Sequence, residues 1–477
     1  MHTIFIDYQI NRIFLWQKAV SIYHPTLGDT RLDLTYYELL DRVSSRLSLV
    51  IRKISGDRGQ EVRFGRLLRH NELCLDDMIQ MGVNFSMGGT SSGHILLVQD
   101  TSELSFGFNP FQSDLASVGS GVEHGFYIHP VIALDAKSHI CLGLANVEVF
   151  KREESEQYRN KEKFEHKQSY RWLSSVRKAK VNCNSYDQIT VISDREGDIY
   201  DALCGYQAEG MDFLIRSWHN RPLAKDQLGT KLQDLIEQWD KKGEYWCDLP
   251  RTDKRSAHRA LMEVKYGRVT LQRPERSMSK HLPPTLDVYV IDVQEHHASI
   301  VNNEKPVHWR LITSHAVDIL LQAEQIIQWY TKRWNIEQVF RLLKKQGLDL
   351  TESVAHKYET LSRLALVGLI AAVRVLQLVT ARDNPDNTPA STAFTADEIK
   401  VLHKLGPTLE GRTQIQKNPH LPKTLAYVAW VIARLGGWKS YSKSERPPGP
   451  ITFLNGLKRL QDYIDLYDLL QKSNNGP

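Results

Sequence analysis

The fifteen residues from Tyr330 to Lys344 carry side chains suited to phosphoryl transfer, at helical spacing. The stretch has neither Gly nor Pro. At about 100° per residue, with Arg333 as zero, Glu337 falls near ~40°, Lys344 near ~20° and Tyr330 near ~60°. Ile336, Val339, Phe340, Leu342 and Leu343 take the other side. One narrow polar stripe therefore holds a phenol, a guanidinium, a carboxylate and an ammonium, opposite an apolar face that must be buried. A carboxylate flanked by phosphate-binding cations on a packed helix suits metal-dependent phosphodiester chemistry. The same pattern also describes an amphipathic helix with a solvated polar face.

Two further carboxylates close short, apolar, β-branched runs: His94 to Asp100 and Gln188 to Asp194. Each run predicts a buried strand that delivers an Asp at its C-terminal end, where sites in α/β sheets are built. An Asp after a strand is also a common turn or helix-capping residue. Together with Glu337 the two offer three hard oxygen ligands and no clustered Cys or His. That set suits Mg²⁺ or Mn²⁺ and argues against zinc.

With these residues in place, the chain resembles the bacterial insertion-sequence transposases of the DDE class. More narrowly it is similar to the insertion-sequence-four group, that of the transposon-five cut-and-paste transposase. The group's signature is Tyr, two residues, Arg, three, Glu, six, Lys; Tyr330, Arg333, Glu337 and Lys344 satisfy it. Asp194-Arg195-Glu196-Gly197-Asp198-Ile199 matches the second-Asp motif and Val98-Gln99-Asp100-Thr101-Ser102 the first. Ile432-Ala433-Arg434-Leu435-Gly436-Gly437 and Leu27-Gly28-Asp29 match near the two ends, so the resemblance spans nearly the whole chain. The chain departs from the group in two places. Leu27-Gly28-Asp29 continues as Thr30-Arg31-Leu32, with one basic residue rather than a pair. Val147-Glu148-Val149-Phe150-Lys151 stands where many relatives are Trp-rich.

The resemblance implies that Asp100, Asp194 and Glu337 hold two divalent ions, Mg²⁺ or Mn²⁺, in each active site. It implies that Tyr330, Arg333 and Lys344 contact DNA phosphates and that Arg216 is a further DNA contact. Trp309, 21 residues before Tyr330, would accept a flipped base beside the cleavage site. Glu196 and Asp198 are read as turn or supporting residues. The implied partners are double-stranded DNA, both terminal inverted repeats and target, and a second copy of the chain in the synaptic complex; no membrane is implied. The implied setting is the bacterial cytoplasm, at the nucleoid when DNA-bound.

The elements that must position these residues can be read along the 477-residue chain, a length for about two to four domains. Residues 1–75 are polar and helical in pattern, with Leu32 to Leu49 and Val62 to Arg69 as helices. Arg52, Lys53, Arg58, Arg63, Arg66 and Arg69 crowd this region. Such clusters are candidates for phosphate contact, Arg66 among them, or else solvated helix faces. Net charge is only +5, so global charge announces no nucleic acid. Residues 76–375 form the catalytic region: strands at His94–Asp100, Gly125–Asp135 and His139–Phe150, a helix at Lys163–Lys180, the Asp194 strand, a helix from Ile199, and a strand at Met211–Trp218. Lys161, Lys163, Lys167, Arg171, Arg177, Lys178 and Lys180 form a second basic cluster. This order fits an α/β, ribonuclease H-like core with Asp100 and Asp194 on neighbouring strands. The long gap between Asp194 and Glu337 holds strand-like runs at Glu244–Leu249, Leu261–Leu271, Leu286–Val293 and Trp309–Thr313, read as a β-rich insertion over about 219–315.

Residues 376–477 are helical, with breaks near Asp383–Thr392 and at Arg446-Pro447-Pro448-Gly449-Pro450. The final helix aligns Leu454, Leu457, Leu460, Ile464, Tyr467 and Leu470 on one face, which suits a partner helix or intramolecular packing alike; the resemblance implies a C-terminal dimerisation region. Leu364 to Val379, shorter than a membrane span and interrupted by Arg374, is expected to be a buried helix. Five scattered cysteines without a CxxC point to a reducing cytosol and no structural zinc. The resemblance implies cut-and-paste transposition as the function: cleavage at each end, excision through hairpin ends by the group's scheme, then strand transfer into target DNA. The competing readings are a nuclease of the same fold that only hydrolyses, and a silent copy that only binds DNA.

Overall fold

The computed structural model describes residues 25–474 except 89–92, 108–113, 120, 122, 153–162, 226–230, 250, 252–254, 276, 303, 346, 351–352, 354 and 440–446; beyond 466 it describes backbone alone. Lys161, Arg446, the first twenty-four residues and the side chains of Tyr467 and Leu470 thus lie outside the described residues.

The described residues open with helices α1 (Thr30–Arg46), α2 (Ile51–Ile54), α3 (Arg58–Leu68) and α4 (Leu75–Ser86). The sheet region follows with β1 (His94–Gln99), β2 (Ser102–Ser105), β3 (Ala116–Val118), β4 (Glu123–Asp135) and β5 (Cys141–Phe150). Then come α5 (Arg171–Asn182), β6 (Gln188–Ser193), α6 (Tyr200–Ala208), β7 (Asp212–Arg216) and α7 (Leu232–Glu237). Strands β8 (Gly243–Leu249), β9 (His258–Gln272), β10 (Thr285–Glu295) and β11 (His308–Thr313) precede the helices α8 (Leu320–Thr331), α9 (Trp334–Lys344) and α10 (Tyr358–Asp383). The chain ends with α11 (Ala396–Leu409), α12 (Leu425–Leu435) and α13 (Pro450–Asn474).

A large mixed sheet organises the molecule. β4 lies between β5 and β1, both antiparallel to it, and β1 runs parallel to β6, which runs parallel to β7. β11 pairs with β7 and carries the sheet on through β10, β9 and β8. The strands between Asp194 and Glu337 therefore extend the same sheet. Alternation decides which face each β1 residue serves. Leu96 and Val98 pack with the N- and C-terminal helices, while Ile95 and Leu97 pack beneath α5 and α6. β1 is buried on both faces because helices cover both, so its sequence reads as a continuous apolar run.

β2 and β3 were not foreseen; with four and three residues of mixed polarity they give no period to read. The basic helix begins at Arg171, later than expected, after single turns at Phe164–His166 and Gln168–Tyr170. The expected continuous helix through Tyr330–Lys344 is two helices, α8 and α9. At the join, Lys332 and Arg333 bond through tight i→i+3 contacts. Both keep right-handed helical dihedrals, so periodicity reads straight through the break.

α10 runs through position 375 and is longer than the expected Leu364–Val379. By length and composition it could cross a membrane, yet its apolar window is wholly buried in the protein. Its two buried arginines act as ties. Arg363 donates to the carbonyls of Leu68, His70 and Leu73, fixing the N-terminal helices. Arg374 pairs with Glu398 of α11 at 2.7 Å and donates to Ala393 O. The face of α13 offered for a partner is covered within the chain: Leu454, Leu457 and Leu460 are buried in the main core. Gly436 lets α12 approach α13, since a Cβ there would stand 2.0 Å from Thr452 O.

Candidate active site

β1 and β6 are register partners up to Val98 and Ile192. Asp100 and Asp194 each lie two residues beyond that pair, so the parallel strands bring both carboxylates to one edge of the sheet. β1 and β2 share β4 as partner, with Gln99 opposite Val131 and Ser102 opposite Ile128. In that register the break holding Asp100 and Thr101 stands opposite Pro130, which has no N–H for a ladder, and His129.

A buried network aims this break. The Gln99 amide donates to Trp172 O and to the Tyr206 hydroxyl, each at 3.1 Å. Its carbonyl oxygen therefore accepts from His129 Nε2 at 2.9 Å. His129 Nδ1 is left to accept from the Thr101 hydroxyl at 2.8 Å. Burial, helped by the charge of Arg171, pushes the His129 imidazole down to about 3, so it stays neutral. The Thr101 N–H in turn donates to Asp100 Oδ1 at 2.8 Å.

Asp194 caps a single turn, Arg195–Gly197, and accepts from the Glu196 N–H at 2.8 Å. Gly197 is required there: a Cβ would stand 2.0 Å from Ser193 Oγ. Asp198 is a supporting residue, buried and bonded to the Trp218 and His219 N–H groups and to Arg221.

Glu337 stands in the first turn of α9, where a helix end favours negative charge. Arg333 joins it to Asp100. One guanidinium nitrogen lies 3.2 Å from Asp100 Oδ2 and the other 2.9 Å from Glu337 Oε1. Burial, and then the charge of Asp194, raises the Asp100 carboxyl to about 7 despite Arg333.

Among the described residues no three acidic, imidazole or thiol groups already converge as a metal cage. The donor set nonetheless fits a hard divalent ion: three carboxylates, one with its acid form favoured by burial and a neighbouring anion, and a cation lodged between two of them. Arg333 occupies Asp100 Oδ2 and Glu337 Oε1 and leaves the other oxygen of each carboxylate to further partners.

The other expected site residues divide. Arg216 closes β7 and donates to His308 O; burial lowers its pKa, as do Arg195 and Arg333, against the pull of Tyr330. The Tyr330 phenol is buried, with burial raising its pKa and Arg333 and Arg216 opposing. Trp309 is half-buried against the core, its ring 6.1 Å from that of Tyr330. Lys344 is half-buried; burial lowers its pKa, and Glu103 rather than the acidic edge opposes this. Arg66 is exposed on α3 and has no bond to the acidic edge.

Sequence reading missed His129, which strand pairing brings to Thr101 beside Asp100, and Tyr206, which α6 packs against Gln99. It also passed over Trp334, 53% exposed with Arg333 over its ring at 5.1 Å, although it lies inside the signature. Trp218 and Arg195 were likewise unassigned.

The family model for the transposase DDE domain matches residues 126–374, more than half of the chain. A solved structure, the cryo-electron-microscopy structure of the piggyBac transposase synaptic complex with hairpin DNA, is similar over 95% of this chain and 80% of that chain. It shares 9% identity at a TM-score of 0.35, and nothing about this site is taken from it. The extent of the family match places this chain in the transposase DDE-domain family.

Proposed function

We propose that the chain is a cut-and-paste DNA transposase of the insertion-sequence-four type with a ribonuclease H-like core. The observation that carries this reading is the convergence of Asp100 and Asp194 at adjacent parallel strand ends, with Glu337 tied to Asp100 through Arg333. The antiparallel β5, β4 and β1, followed by the parallel β6 and β7, support the core assignment.

Asp100, Asp194 and Glu337 would hold two Mg²⁺ or Mn²⁺ ions. Such ions supply activation of a water or a DNA 3′-hydroxyl and stabilisation of the leaving oxygen. The chain's own residues do the rest. The neutral His129 network holds Thr101 and so orients the Asp100 carboxylate. Arg333, released from the carboxylates, moves its guanidinium to a DNA phosphate. Tyr330, Arg216 and Lys344 contact the backbone around it, Trp309 and Trp334 face the unpaired end, and Arg66 contributes a remote contact. Nicking, hairpin formation, hairpin opening and strand transfer are all in-line displacements at phosphorus, so one site serves them in turn. Two copies would act in the synaptic complex, one for each DNA end, in the bacterial cytoplasm at the nucleoid. Tyr463 and Leu466, 44% and 52% exposed on α13, remain available for contact between copies.

The test is cleavage of a labelled duplex carrying the element's own end, with Mg²⁺, by wild type beside Glu337→Ala. Hairpin-ended products from wild type alone support the proposal. Nicks without hairpins or strand transfer favour a hydrolytic nuclease. Binding without cleavage by both proteins favours a silent copy.

A further inference from the structure

The acidic edge continues into a strip of cations. Arg333 bridges Asp100 and Glu337. Arg216 lies close enough to Arg333 and Arg195 to be perturbed by both. Arg195 follows Asp194 directly and forms no ion pair among the described residues. Its guanidinium lies over the Trp218 ring, 5.2 Å from the centroid.

Trp218 is the unexpected member. A single exposed apolar residue is ordinary, but this indole is 63% exposed and its backbone is held by a buried ion pair. Asp198 Oδ2 accepts the N–H groups of Trp218 and His219 at 2.8 and 2.9 Å. Asp198 Oδ1 accepts two donors of Arg221, at 2.6 and 3.0 Å. The Asp198 side chain is fully buried and that of Arg221 is 5% exposed. An indole that served only to fill space would be covered. Here a buried carboxylate fixes the backbone of a residue whose ring faces solvent.

We propose that Trp218 is a stacking platform for an unpaired nucleobase. The DNA strand leaving the acidic edge passes its phosphates along Arg216 and Arg195 and lays a base on the indole. Arg195 contributes from the ring's covered side by its charge, and the open side takes the base. An exposed aromatic at the end of a cationic track suits single-stranded nucleic acid, because every base offers a π face whatever its sequence. This rests on the DNA-processing reading above and adds to it where the strand goes after the cut site.

The test compares wild type, Trp218→Ala and Trp218→Phe, each as the full chain. Two probes are used at low salt: a blunt duplex, and the same duplex with a short oligothymidine extension carrying 2-aminopurine. Stacking predicts that Trp218→Ala loses roughly tenfold in affinity for the extended duplex and none for the blunt one. Trp218→Phe should keep most of the affinity, and 2-aminopurine emission should be quenched by wild type but not by Trp218→Ala. Equal affinity of wild type and Trp218→Ala for the extended duplex overturns the proposal. So does an equal loss on both probes, which would make the indole a general packing contact. Absence of wild-type binding to either probe would sink the DNA-processing reading itself.

Discussion

At Asp100, burial and the negative charge of Asp194 push the carboxyl up to about 7, against the pull of Arg333. A carboxyl whose pKa is raised on folding holds its proton more tightly in the native state than in the unfolded chain. Its stabilising contribution is therefore complete below about 4 and is lost as the pH rises through about 7. Metal-free protein should melt at progressively lower temperature across that window, and Asp100→Asn should flatten the trend; differential scanning calorimetry over a pH series checks both. Asp100→Asn should also abolish Mg²⁺-dependent cleavage while leaving DNA binding intact, read by gel shift beside a cleavage assay. Thr101 acts one step further out. Thr101→Val removes the hydroxyl that His129 accepts and should cost about 1 kcal/mol of stability together with a fall in cleavage rate, both restored by Thr101→Ser. A variant that cut at the wild-type rate would show that the network does not orient Asp100.

At the scale of elements, α10 holds the molecule together through charges that its apolar sequence hides. Arg374 and Glu398 are nearly buried partners. Arg374→Ala strands a carboxylate in the core and should destabilise by about 3–5 kcal/mol, whereas Arg374→Met with Glu398→Leu should recover most of the loss; urea unfolding of the three proteins tests this. Between α8 and α9 the tight turn at Lys332–Arg333 places the guanidinium between the carboxylates of β1 and α9. Its helical dihedrals make it invisible to periodicity, which predicts one continuous helix. The strands were legible where apolar β-branched runs ended in Asp. β2 and β3 were too short to carry a period, although the break between β1 and β2 is what leaves Asp100 out of the ladder.

For the whole molecule, net charge conveys little, because under the proposed function the cations assigned to the leaving strand, Arg333, Arg216 and Arg195, lie together beside the acidic edge. DNA binding through that edge should weaken linearly in log affinity against log salt. Arg195→Ala should reduce the slope by about 1 without changing sequence preference. Fluorescence anisotropy over a salt series would show it, and an unchanged slope would place the DNA path elsewhere. The C-terminal helix carries a second lesson at this scale. Of the apolar face that suits a partner helix or internal packing alike, Leu454, Leu457 and Leu460 are buried against the chain's own core and Ile464 packs against it. An amphipathic face states that something must cover it and does not state what.

By itself the sequence determined the local elements: the two strand-like runs that end at Asp100 and Asp194, and the helical stretch that carries Glu337. Those features are local, since runs of apolar residues, their period and the residue that ends them are properties of neighbours in the chain. Only the tertiary structure decided the charge state of Asp100, the lodging of Arg333 between two carboxylates, and the joining of His129 and Tyr206 to the site. It also decided that Trp218 stands exposed beside Arg195. Burial, pairing and electrostatic neighbourhood arise between segments far apart in sequence, and no local pattern encodes them.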